Sequence, residues 1–126
     1  MEGSEIKRLM GQTLKRVEKT ADDRIEFETA EGKEYALCHV QDCCESVEIE
    51  DIIGDLSDLV GAPILQAEEA TNRGEHPKGF VPEDEPESFT WTFYKLATIK
   101  GYVTVRWYGR SNGYYSESVD FEELPV

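Results

Sequence analysis

The sequence predicts an α+β fold: a mostly antiparallel sheet of about six or seven strands, laid out as two meanders and packed against one main amphipathic helix. Three observations predict it. Apolar and polar residues alternate between positions 13 and 40, they alternate again between 89 and 121, and between 49 and 60 the spacing changes to that of a helix.

The first meander opens with Thr13–Thr20 and Arg24–Thr29, joined by a turn at Ala21-Asp22-Asp23, and continues through Glu31-Gly32-Lys33 into Glu34–Val40. Met1–Gly11 either adds a short helix or frays. From Ser46 onward, Ile49, Ile52, Ile53, Leu56, Leu59 and Val60 follow the i, i+3, i+4, i+7 rule, and Gly61 with Pro63 ends the run. Ile53 is thereby expected in the core. Asp42-Cys43-Cys44-Glu45 reads as a helical turn with Asp42 as N-cap and Glu45 reaching back. Gly54 inside the helix implies a close neighbour, because glycine there costs about 1 kcal/mol. Pro63–Glu69 is the next strand. Thr71–Ser88, with its prolines and acidic cluster, is an exposed acidic loop. Phe89–Ile99, a turn at Lys100-Gly101, Tyr102–Tyr108, a turn at Ser111-Asn112-Gly113 and Tyr114–Phe121 form the second meander.

At 126 residues and 39% hydrophobic content the chain fits one domain over 1–126, because two halves would each bury too little apolar surface. It has no apolar run of about 18 residues, and Met-Glu-Gly-Ser-Glu lacks the pattern of a secretory signal, so a cytoplasmic location in a bacterial cell is expected. Three cysteines, two of them adjacent, do not make a disulfide framework, so reduced thiols are expected.

The net charge of −14 is unevenly spread. Residues 34–87 hold fifteen acidic side chains against two basic ones, and no Lys or Arg occurs between Glu34 and Asn72. A field of that sign repels nucleic acid and acidic membranes, and it favours a basic protein or a cation.

Gln41-Asp-Cys-Cys-Glu-Ser-Val47 running into Ile49–Leu59, Trp91-Thr-Phe-Tyr-Lys95 and Ser111-Asn-Gly-Tyr-Tyr-Ser-Glu-Ser-Val-Asp-Phe121 carry a resemblance. Over roughly Gly11–Phe121 the chain resembles a family of small bacteriophage and bacterial proteins grouped as a domain of unknown function. The resemblance implies a phage or prophage accessory protein and brings no catalytic residue with it.

Four chemistries compete for the polar residues. His39, Cys43 and Cys44 offer soft ligands, but adjacent side chains on a helix diverge by about 100°, so a tetrahedral ion is not closed and no metal or other cofactor is expected. The same three residues could instead centre a thiol- or zinc-dependent enzyme, with a thiol at a helix start and His39 as base; the surrounding carboxylates oppose a thiolate, and no catalytic residue is assigned. Glu48, Asp51, Asp55 and Asp58 fall at i, i+3, i+7 and i+10, one acidic stripe about 15 Å long at helical rise. Neighbours about 5–6 Å apart would imitate phosphates to a basic partner. A solvated helix face explains the same stripe. Finally, the aromatic strands and Arg106 suggest a small-molecule or nucleotide pocket lined by His39, Asp42, Arg106, Asn112 and Tyr115.

The leading expectation is a non-enzymatic accessory protein that binds and modulates a basic host protein, such as a defence or nucleic-acid enzyme, through Glu48, Asp51, Asp55 and Asp58. A small ligand is the alternative. Direct nucleic-acid and membrane binding are not expected.

Overall fold

Strands β1 (Leu14–Ala21), β2 (Arg24–Thr29) and β3 (Glu34–Cys38) form the meander that alternation predicts. β4 (Ser46–Ile53), β5 (Gln66–Arg73), β6 (Ser88–Thr98), β7 (Gly101–Ser111) and β8 (Asp120–Leu124) follow, and the helical segments among the described residues are two short 3₁₀ turns, Glu5–Leu9 and Leu56–Leu59. The computed structural model describes residues 5–82 and 84–125. The strands make two four-stranded antiparallel sheets, ordered β1-β2-β3-β8 and β4-β7-β6-β5. Leu14, Ile25, Phe27 and Leu37 of one sheet and Val47, Tyr94, Val103, Val105 and Trp107 of the other share one buried cluster, so the two inner faces are packed together. Hydrogen bonds from Gly11 N to Ile64 O, Ile64 N to Gln12 O and Gly61 N to Leu14 O tie the start of β1 to the segment before β5.

The fold is therefore almost entirely β, and the expectation of a sheet packed on a main amphipathic helix is corrected. The cause lies in β4. Opposite β7 its register shifts between Ile49 and Asp51, leaving Glu50 as an extra residue. Val47 and Ile49 face inward at strand spacing; the bulge then delays the next inward position to Ile52, and the 3₁₀ turn adds Leu56 and Leu59. Inward positions three and four apart are what a helix would show. Gly54, with φ of 106°, leaves the strand where a side chain would run into the Tyr102 carbonyl, so the close neighbour is real and is a hairpin.

Ile53 pairs with Thr104 on the outer face and is 53% exposed, not core. Ile53→Asp is thus expected to shift stability by no more than about 0.5 kcal/mol. Val47→Asp, at a residue 3% exposed, should cost several kcal/mol. Urea titrations of both variants check this, and the opposite ranking would restore the helix.

Two other differences concern connections. Tyr114–Phe121 does not extend the second meander: residues 112–119 are irregular and β8 crosses to pair with β3 in the other sheet. Thr71–Arg73 belongs to β5, and the loop after it is anchored. His76 and Phe80 lie on the outer face of the second sheet, where His76 stacks on Phe89 at 3.9 Å between centroids and Phe80 meets Trp91 edge-on at 4.9 Å. Trp91 stacks on its cross-strand partner Tyr108 at 4.4 Å and donates from Nε1 to His76 Nδ1 at 3.1 Å. The aromatic stretch is thus a second, smaller core beneath the loop, with the Arg106 guanidinium 5.2 Å from the Trp91 ring.

Candidate functional site

The cations of the first sheet are already occupied. Arg16 bonds Glu18 at 3.0 Å, Glu26 at 3.3 Å and Glu28 at 3.4 Å; Arg24 bonds Glu26 at 2.7 Å, and Lys15 meets Glu28 at 3.2 Å. Beside these pairs the Glu26 and Glu28 carboxyls are held below their ordinary range, Glu26 chiefly by Arg24 and Glu28 by Lys15. Little of that positive charge remains to offset the acidic middle of the chain.

Glu48, Asp51, Asp55 and Asp58 do not form a helical stripe. Glu48 and Asp51 project from the outer side of β4, an edge strand, opposite Tyr108 and Arg106. Asp55 caps the second 3₁₀ turn, accepting from Ser57 N at 2.9 Å and Ser57 Oγ at 2.8 Å, which lowers its carboxyl pKa. Asp58 sits in that turn with its backbone carbonyl accepting from Thr98 Oγ1 at 2.5 Å. None of the four pairs with a cation among the described residues, whereas Oε1 of the bulged Glu50 takes Arg106 Nε and Nη2, each at 2.6 Å. The hairpin of β6 and β7 packs beside them and exposes Ile99 and Tyr102, 84% and 76% accessible. Lys100 in that turn is directed to the Val60 carbonyl at 2.7 Å. Asp55 and Asp58 thus stand beside the β6–β7 turn, near the exposed Ile53, Ile99 and Tyr102, whereas Asp51 and Glu48 run back along β4 and Glu48 lies level with Tyr108, toward the other end of the sheet.

The pocket expected from His39, Asp42, Arg106, Asn112 and Tyr115 is not assembled. His39 is buried. Its Nε2 meets Glu45 Oε2 at 2.7 Å and its Nδ1 meets the Ser118 carbonyl at 2.7 Å, so both ring nitrogens face oxygen atoms. Glu45 also accepts from Asp42 N at 2.8 Å and Cys43 N at 2.9 Å. The reach-back expected of a capping box is present, but it organises a turn between sheets instead of a helix. The His39 contact, then these amides, bring the Glu45 pKa down from 4.5 to about 2. Asp42 is exposed on the same turn, Arg106 lies on the outer face, and Asn112 and Tyr115 line two different hollows. Cys43 and Cys44 are joined to each other, which corrects the expectation of free thiols at this pair; Cys38 is free and buried. No cluster of three or more His, Cys, Asp or Glu suited to an ion occurs among the described residues.

A groove that sequence reading missed lies at the opposite end of the second sheet from the acidic tip. β5 and β6 present Glu69, Arg73, Thr90 and Thr92 on the side that elsewhere holds the core, and residues 113–118 form the far wall with Tyr115 and Glu117. The volume is about 270 Å³. Glu117 accepts from Thr90 Oγ1 at 2.7 Å and Ser111 Oγ at 2.5 Å, and Glu69 accepts from the Tyr94 hydroxyl at 3.0 Å. Burial, then the Glu69 carboxylate, drive the Tyr94 pKa upward, so this phenol stays a donor. Gly109 lets the far wall approach, because a methyl group there would stand 2.6 Å from the Glu117 carbonyl oxygen.

No curated protein and no solved structure matches the chain. A family model described as a domain of unknown function, DUF7448, matches residues 7–121, which take in every strand from β1 to β7 and both the Cys43-Cys44 turn and the Glu117 wall. The chain belongs to the DUF7448 family.

Proposed function

We propose that this protein is a non-enzymatic binding module of phage type that docks on a basic host protein, such as a defence or nucleic-acid enzyme, through the tip of its second sheet. The observation that carries the reading is an acidic line without cation partners among the described residues, running from Glu48 and Asp51 on the outer side of β4 to Asp55 and Asp58 beside the β6–β7 turn, where Ile53, Ile99 and Tyr102 are exposed. An apolar centre with a charged rim is the anatomy of a protein interface, and carboxylates left unneutralised speed the approach of a basic partner. The edge position of β4 fits such a role, since Ile49 N is bonded to Asp22 O at 2.8 Å and the remaining edge is acidic, which keeps it from pairing with other sheets.

The test keeps Asp55, which caps the 3₁₀ turn, and changes the other three carboxylates as Glu48→Gln, Asp51→Asn and Asp58→Asn. Capture of a basic protein from bacterial lysate should fall by more than about tenfold in the triple variant, while its melting temperature stays near the parent's. Tyr102→Ser should weaken capture independently of salt, and the carboxylate contribution should fade as salt is raised toward 1 M, where screening acts within about 3 Å. Equal capture by parent and triple variant would reject this surface as the docking site.

A further inference from the structure

We propose that the groove between β5, β6 and residues 113–118 binds a neutral polyhydroxyl ligand, one ring of a saccharide in size. In a sandwich the inward positions of a strand supply the core, and β6 obeys this at Tyr94 and Leu96, which are buried against Val105 and Val103. Two residues earlier the same side of β6 turns polar, at Thr92 and Thr90, although these are only 2% and 6% exposed. On the same side β5 passes from the buried Ala67 to the exposed Glu69, Thr71 and Arg73, which open the hollow to solvent. Thr90 and Thr92 are polar at buried positions, where a hydroxyl is costly unless satisfied, and with the exposed polar groups of β5 facing them across one hollow they form a lining suited to a polar occupant.

The lining selects among occupants. Glu69 and Glu117 supply acceptors, while the Arg73 guanidinium, which has no ion-pair partner among the described residues, and the threonine hydroxyls supply donors. Vicinal hydroxyls, each donor and acceptor at once, match that mixture. Two carboxylates against one guanidinium leave the hollow negative, which disfavours phosphates and carboxylates. Tyr115 provides the one aromatic ring among the described lining residues, and no aliphatic side chain lines the hollow, which disfavours apolar ligands. The volume falls just below the roughly 300 Å³ at which pockets for drug-sized ligands begin.

Glu117 is held ready: Thr90 and Ser111 occupy two of its roughly four lone-pair positions and leave the others to a ligand. Past the Thr90–Glu117 contact the groove continues into a second hollow of about 290 Å³ bordered by Arg73, Gly74 and Phe89, room for a chain of rings.

The experiment is amide chemical-shift mapping of the whole protein against glucose, galactose, N-acetylglucosamine and their common disaccharides at saturating concentration, with inorganic phosphate and spermidine as charged controls. At ordinary ligand efficiency a dozen-atom sugar should bind with Kd on the order of 1 mM, with shifts centred on Thr90, Thr92 and Tyr115–Ser118. Thr92→Val, close to its parent in volume but without the hydroxyl, and Glu117→Gln should each weaken binding at least about fivefold while amide dispersion shows the fold intact. The proposal is overturned if no sugar in the panel moves these amides, if spermidine or phosphate moves them and sugars do not, or if folded Thr92→Val and Glu117→Gln bind sugar like the parent.

Discussion

Replacing Trp91 with alanine is expected to cost about 3–5 kcal/mol, as much as a central core residue, although Trp91 lies on the sheet face turned away from the main core. The side chain is 0% exposed because the loop after β5 closes over it, with Phe80 edge-on and Tyr108 stacked beneath. Against a total of about 5–15 kcal/mol such a loss is severe. His76→Ala should cost less, about 1–2 kcal/mol, by removing the acceptor of the indole N–H and the ring stacked on Phe89. It should also let water reach Trp91 and move its fluorescence to longer wavelength. Urea titration with fluorescence measures both variants. A Trp91→Ala variant within about 0.5 kcal/mol of the parent would show that the loop does not rest on the sheet in solution.

Glu45→Gln is expected to lower Tm by on the order of 10 °C, since it removes a buried carboxylate that meets His39 Nε2 and accepts from the Asp42 and Cys43 amides. The pH dependence identifies the cause. The folded-state pKa of Glu45 is depressed to about 2 from 4.5, so its contribution to stability is present above about 4.5 and is lost as pH falls toward 2. The gap between parent and Glu45→Gln should therefore be widest near neutrality, narrow below pH 4.5 and close near pH 2. A constant gap across that range would mean that the substitution acts by shape alone.

Much of the strand pattern was legible because period two survives wherever a strand is regular. β2 alternates without interruption from Arg24 to Thr29, and the β6–β7 hairpin keeps one register from Ser88–Ser111 to Thr98–Gly101. What misled was a single unpaired residue. Glu50 shifts the phase of β4, and the apolar positions on either side of it then read as one continuous helix. The destination of β8 could not be read locally either: Asp120–Leu124 alternates equally well in either sheet, and only its pairing with β3, where its Phe121 stacks on Tyr35 at 5.1 Å, places it.

Candidate sites fared according to whether they depend on neighbours in sequence. Glu45 was recognisable as a residue that reaches back to Asp42, three positions away. Its bond to His39 was not, nor was the groove, because Glu69, Arg73, Thr90 and Glu117 become a set only once the register of β5 on β6 fixes which polar side chains turn inward.

The pairing of β3 with β8 sets the order in which this chain can finish folding. Glu34 must wait for Leu124, and Cys38 for Asp120, so the outward backbone groups of β3 stay open while nearly all the intervening chain is made. β3 carries Tyr35, Ala36 and Leu37, apolar on both faces, and an unpaired strand of that kind is the part of a nascent chain most apt to pair with a neighbouring molecule. Closing so long a loop also delays the reward of its contacts, which places the protein among slow folders for its size. Yield at high expression, then, is governed less by the stability of the finished sandwich than by how long β3 is left without its last partner.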